Sequence, residues 1–352
     1  MTAERRGHQP IDVCTVGNMA VDVIVRPGEA FPPPGEIAFV DSISLQPGGN
    51  AVNTAIALGL LGHRALAVGR IGRDPWGTYL LNAMQAAGVD VRGVVQGEEP
   101  TAVTVAGVRP DGERSFLHVL GADAAFRTSD VPWDLVAGAR IFHLTSVFVL
   151  PAFDGADGAQ ALRRAKEMGR ITVLDVCWDA AGRWMDVLAD YLPYADYFLP
   201  NLDEARALTG CRAPEEAADA LLARGCGAVV IKLGRHGCLV ASRAARRHVP
   251  AYPVQAVDST GAGDVFGAAF MAALVRGWDP ERAARLGNAA GAWWVSRPAG
   301  ARLVPFADLA AWAEARKDSA AQGAPDGQEA SAAGQGGMRA FRGDGSTCLD
   351  RD

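Results

Sequence analysis

The sequence predicts an α/β protein: a mostly parallel sheet covered by helices on both faces, with a small antiparallel sheet projecting from it. Three observations predict this. Short β-rich runs alternate with helix-period patterns along most of the chain, and parallel neighbours need such crossover helices between them. Two segments break that rhythm and carry β-type residues with no helix between. The 352 residues, 49% apolar and 21% charged, suffice for a large α/β domain with a full core.

In chain order, residues 12–17 read as the first buried strand, and 65–69, 139–144, 171–176, 197–199 and 228–233 as its successors. Between them, 51–61, 77–87, 158–168, 202–208 and 214–223 place apolar residues at three- and four-residue steps and read as helices. The out-of-rhythm segments are about 23–45, with β-type runs around several prolines, and about 91–120. The latter holds 102–108 and 115–120 joined by Pro110-Asp111-Gly112, a hairpin signal. Their Val, Ile and Phe content favours a small sheet over surface loops. Residues 11–317 then form one domain. Residues 318–352, rich in Gly, Ala, Gln, Ser and Asp, with no Ile or Val, are expected to be a disordered tail.

Composition excludes several functions. A net charge of −6 argues against a general nucleic-acid or anionic-membrane surface. The longest strongly apolar stretch, 265–275, is too short to cross a bilayer. The first ten residues lack the apolar centre of a secretory signal, so a cytoplasmic location is expected. None of the six cysteines forms a C-x-x-C, and no His cluster accompanies them. Buried thiols are therefore expected rather than a zinc site or a disulfide framework.

The strongest chemical signal is Asp258-Ser-Thr-Gly-Ala-Gly-Asp264, running into a helix apolar on nearly every side. Gly261, Ala262 and Gly263 sit where that helix begins. Free amides and the positive end of the helix dipole would make an anion site there. Asp264 in the first turn could accept a proton from a hydroxyl attacking a phosphoryl group. It could equally complement the dipole while Ser259 or Thr260 caps the helix, and spacing alone does not separate these readings.

Four more stretches accompany it: Pro47-Gly-Gly-Asn-Ala-Val-Asn53 running to Gly62, Gly69-Arg-Ile-Gly-Arg-Asp74-Pro-Trp-Gly77, Asn201-Leu-Asp-Glu204 and Gly234-Arg-His-Gly237. In this order, over about residues 11–309, they resemble the signatures of the ribokinase-like (PfkB) carbohydrate kinases. The resemblance implies a Rossmann-like three-layer core with a β-sheet lid, and transfer of the γ-phosphoryl group of ATP to a sugar or nucleoside hydroxyl. It makes Asp264 the general base and the amides of Gly261, Ala262 and Gly263 the stabilisers of phosphoryl charge.

The resemblance assigns further residues. Asp22, Gly48, Gly49, Asn50 and Asn53 would bind the sugar; as a bare pattern, the last four could only cap a helix. Asn201 and Glu204 would orient Mg²⁺ through its water shell; alone, they read as a helix start. Lys232, Gly234, Gly237 and Asn288, with Asn201, would meet the nucleotide. Asn288 reads equally as a buried polar residue bonded to backbone. Arg114, in the lid hairpin, would reach the substrate or remain a solvated charge.

Some positions depart from ribokinase. Gly48-Gly-Asn-Ala-Val-Asn53 replaces Gly-Gly-Lys-Gly-Ala-Asn, Ala20 replaces an Asn, and Thr145 stands near an acidic position. The acceptor sugar is therefore left open. So is dependence on a monovalent cation such as K⁺, whose loop would include Asp258 and Thr260. A small open sheet has free edges, so a homodimer through the lid is a further expectation.

Overall fold

The computed structural model describes residues 10–28, 32–109, 114–297 and 302–317. The expected tail at 318–352 and the Pro110–Gly112 turn lie outside these. The strands are β1 Ile11–Val16, β2 Ala20–Arg26, β3 Ser42–Gly48, β4 Ala65–Gly72, β5 Asp90–Gly97, β6 Ala102–Val108, β7 Arg114–Val119, β8 Ala139–Val147, β9 Ile171–Val176, β10 Tyr197–Phe198, β11 Ala228–Lys232, β12 Cys238–Ser242 and β13 Arg246–Val249. The helices are α1 Asn50–Leu60, α2 Pro75–Ala86, α3 Trp133–Val136, α4 Ala156–Glu167, α5 Trp184–Leu188, α6 Leu202–Thr209, α7 Pro214–Ala223, α8 Ala262–Val275, α9 Pro280–Val295 and α10 Phe306–Glu314.

Nine strands form the large sheet, in the order β13-β12-β11-β10-β9-β8-β1-β4-β5. It is parallel from β11 to β5, and β12 and β13 add an antiparallel edge. Alternate residues of each strand face opposite sides, which gives two cores. Val13, Ile141, Val173 and Val230 meet α1, α8 and α9 on one face. Cys14, Phe142 and Leu174 meet residues of α4 and α7 on the other. Among the described residues, no helix is long and apolar enough to cross a membrane. Cys14, Cys177, Cys226 and Cys238 are free thiols.

The small sheet has the order β3-β2-β6-β7. Its outer pairs are antiparallel, while β2 and β6 at its centre run parallel. One expectation is corrected. Residues 90–97, placed in the lid by sequence, pair with β4 in the large sheet. Only a short loop follows Gly97 before the lid resumes at β6, and β-type composition does not say which sheet a strand joins.

Strand order reverses beside β1, which β8 flanks on one side and β4 on the other. Ligand crevices form at the carboxyl ends of strands where the order reverses. The signature residues converge there.

Candidate active site

Helix α8 is Ala-, Phe- and Met-rich, and nearly all of it is buried. It begins without a side-chain cap: Gly261, at φ 73°, is the N-cap. That left-handed conformation favours glycine. The alternative of a capping Ser259 or Thr260 is thereby removed, and the amides are left to another partner. One amide departs from expectation, because the Ala262 N–H turns back to the Ser259 carbonyl at 3.2 Å. The cradle therefore rests on its neighbours Gly261 and Gly263. The Trp294 indole N–H holds the turn by donating to the Thr260 carbonyl at 2.6 Å.

Asp264 is 8% exposed. Asn50 Nδ2 donates to one of its oxygens and Asn53 Nδ2 to the other, both at 2.9 Å. Burial lifts the carboxyl to about 6, with Asp175 adding to the rise and the two Asn donors and Lys232 opposing it. Asn50 and Asn53 therefore do not cap α1. They orient the carboxylate.

Asn50 is itself fixed by residues that sequence reasoning did not single out. Its Oδ1 accepts from the Cys177 thiol at 3.2 Å and lies 3.5 Å from Ser146 Oγ. Its backbone N–H donates to Asn18 Oδ1, which also accepts from Ser146 Oγ at 2.7 Å. Burial pushes the Cys177 thiol well up, so it remains a protonated donor. Ser146 has φ 69° and Phe148 φ 89°, and such strain in non-glycine residues concentrates at functional sites. The one available signal was position: Asn18, Ser146 and Cys177 each follow or end a buried strand.

Asp22 lies on β2, opposite Thr104 of β6 and Gln46 of β3. Burial raises its carboxyl, and a hydrogen bond with Thr104 opposes the rise. A Cβ on Gly48 would stand 2.4–2.5 Å from the Asp22 carboxylate, and one on Gly49 would stand 2.5 Å from the Asn18 carbonyl oxygen. Both glycines are thus required by close approach.

On the other side of α8, a Cβ on Gly263 would stand 3.4 Å from Lys232 Nζ. Lys232 pairs with Asp175 at 2.9 Å, their side chains 15% and 5% exposed. Burial lowers the ammonium, but Asp175 and Glu204 outweigh it and raise it above its ordinary value. Asn201 and Glu204 form a reciprocal capping box at the start of α6. Asn201 N–H donates to Glu204 Oε2 at 2.8 Å, and Glu204 N–H to Asn201 Oδ1 at 2.9 Å. Glu204 is 6% exposed, and burial lifts it to about 7 while Lys232 opposes the rise.

Gly234, at φ 59°, has open space where a side chain would be, leaving room for a ligand. Gly237 does not: its Cβ would collide with the Val249 carbonyl. Asn288 is 8% exposed and donates to the Val249 and Pro250 carbonyls at 2.9 and 3.1 Å. Its amide donors serve the backbone, which is the plainer of its two sequence readings. Both oxygens of Asp258 are engaged, Oδ2 by the Arg26 guanidinium at 2.9 Å and Oδ1 by the Thr260 N–H at 2.8 Å. The carboxylate considered for a monovalent cation is therefore neutralised by an arginine from the lid strand. Arg114 opens β7, and its side chain lies outside the described residues.

Known proteins carry the same architecture. The chain is 28% identical over 293 residues to ribokinase of Bacillus subtilis (strain 168), covering 79% of this chain and 91% of that protein. The structure of adenosine kinase from Sinorhizobium meliloti matches with a TM-score of 0.75 at 29% identity, covering 86% of this chain and 99% of that one. The Arabidopsis thaliana ribokinase structure, complexed with ribose and ATP, matches with a TM-score of 0.72 at 26% identity, covering 86% and 98%. The family pattern of the pfkB carbohydrate kinases matches residues 10–306, spanning both sheets and every site residue named above, so this chain belongs to the pfkB family of carbohydrate kinases.

Proposed function

We propose that this protein transfers the γ-phosphoryl group of ATP to a sugar hydroxyl, with Asp264 as the general base. One observation carries the reading: a buried carboxylate, lifted to about 6 and aimed by Asn50 and Asn53, sits in the first turn of an uncapped helix. A base poised near working pH is suited to take a hydroxyl proton. The residues present fit the donor. The Gly261 and Gly263 amides and the Lys232 ammonium suit a polyphosphate, and Gly234 leaves room beside it. Glu204 and Asn201 suit Mg²⁺ held through water. ATP supplies the phosphoryl group, and the metal offsets its charge.

On the acceptor side, Asp22, Gly48, Gly49, Asn50 and Asn53 bind and orient the sugar. The Asp22 carboxylate accepts from sugar hydroxyls, and Asp264 takes the proton of the attacking one. The small sheet acts as a lid that limits water at the transfer site. Phosphorylation assays over pentoses, hexoses, sugar phosphates and nucleosides test the reading. We expect ADP release to depend on a sugar. Failure of every sugar to stimulate it would overturn the assignment.

A nucleoside acceptor is the second reading. Trp178, 51% exposed, follows Cys177, whose thiol touches Asn50, and offers a face on which a base could stack. The adenosine kinase neighbour supports this reading, and the same assay panel separates the two.

The lid also suits a homodimer. Ile43, Leu45, Val23, Val105, Leu117 and Val119 share one face of the small sheet by register, and Ile43, Leu45, Leu117 and Val119 are 44–66% exposed. A second copy of this face would cover it. Sedimentation analysis is expected to give a dimer, and Leu117→Lys a monomer. A monomeric parent chain overturns the dimer.

A further inference from the structure

Lys232 ends β11 and Asp175 lies on β9, with β10 between them. Both follow by two residues a valine packed against α8 and its neighbours, so both point to the site face. The ammonium meets both Asp175 oxygens, at 3.2 and 2.9 Å. An ion pair this deep gains little over apolar residues of similar volume, because desolvation offsets the attraction. Stability alone therefore gives no reason for it in a strand that otherwise reads Ala-Val-Val-Ile.

Its placement gives a reason. Nζ borders the cradle, 3.4 Å from where a Gly263 side chain would begin. A lysine has three N–H donors. Asp175 takes two, which leaves one for a group seated in the cradle. The residue type fits too. The chain has three lysines among 34 Lys and Arg residues, so a compact ammonium is kept here where arginine prevails elsewhere. An arginine fork spreads its charge over a plane and would not fill this point between carboxylate and cradle.

We propose that Lys232 is a catalytic residue that contacts the transferring phosphoryl group, and that Asp175 is the positioning residue that aims it. The proposal rests on the kinase reading above. In the step, the acceptor oxygen forms the new O–P bond while its proton passes to Asp264. The bond to the leaving diphosphate breaks, and its electron pair stays on ADP. Lys232 keeps its proton and neutralises charge on the phosphoryl oxygens throughout.

Three variants of the full chain test this: Lys232→Met, Asp175→Asn and the double variant. The readouts are kcat, KM for ATP, thermal midpoint, and calorimetric binding of ADP with and without aluminium fluoride, a mimic of the phosphoryl group in flight. Lys232→Met is expected to lose about 10²–10³ in kcat, the effect of one oxyanion donor, with KM for ATP changed less than about tenfold. It should bind ADP normally and lose the tightening by aluminium fluoride. Asp175→Asn should lower kcat about tenfold, and that loss should vanish in the Lys232→Met background, as expected of a residue acting through another. The double variant removes the unpaired buried charge, so it should recover the parent's thermal midpoint while remaining slow. A Lys232→Met enzyme within threefold of the parent's turnover overturns the proposal. So does a double variant that recovers both stability and turnover, which makes the pair structural. A parent chain that phosphorylates no acceptor defeats the kinase reading instead, and the aluminium fluoride binding still decides the role of Lys232.

Discussion

Asp264→Ala is expected to lower turnover by about 10²–10⁴-fold, the contribution of a positioned general base. ATP affinity should change little, because the amides of the cradle remain. The acid limb of the rate profile supports the same assignment. The ionised carboxylate is the active form, and burial holds its midpoint at about 6. In the parent, kcat/KM should therefore be level above that pH and fall about tenfold per unit below it. Asn53→Ala removes a hydrogen bond that lowers this value, so the limb should move to higher pH. An Asp264→Ala enzyme with a tenth or more of parental turnover, or a profile flat down to pH 4.5, would falsify the role.

Phe270→Ala should give the largest loss of stability. Phe270 is fully buried on α8, under two turns beyond Asp264. It meets Tyr197 edge-on at 5.4 Å and stacks on Phe266 at 6.4 Å. Truncation leaves a cavity between the helix and the sheet, at a cost of about 3–5 kcal/mol. For a chain of this size, that is a fall in thermal midpoint on the order of 10 °C. Denaturant titration measures it directly. A cost under 1 kcal/mol would mean that α8 re-seats freely, and Asp264 would then owe its position to Asn50 and Asn53 alone.

The core was legible where sequence carries a period. Buried parallel strands read as apolar runs, and amphipathic helices separate them, so β1, β4, β8, β9 and β11 stood out. The edge pair β12 and β13 did not, because the exposed Arg247 and His248 give it no apolar run. The misplacement of β5 has the same root, since composition marks a strand but not its partner. At the site, the glycine turns and Asp264 were visible because their spacing is local. Asn18, Ser146, Cys177 and Asp175 were not, being single polar residues at the ends of separate strands. Only the folded sheet brings them together. The pairing of Arg26 with Asp258, 232 positions apart, leaves no local trace at all.

That pairing also constrains how the lid moves. Residues 17–19 join β1 to β2, and they are clamped. Asn18 is held by Ser146, the Met19 N–H donates to Asp123, and the Met19 side chain is fully buried. The projecting sheet therefore has a rigid root and flexes as a cantilever, with Arg26 towards its free end. Opening begins by parting one guanidinium, 39% exposed, from its carboxylate. Dissolved salt weakens such a contact, so entry to the cleft becomes a step that ionic strength sets.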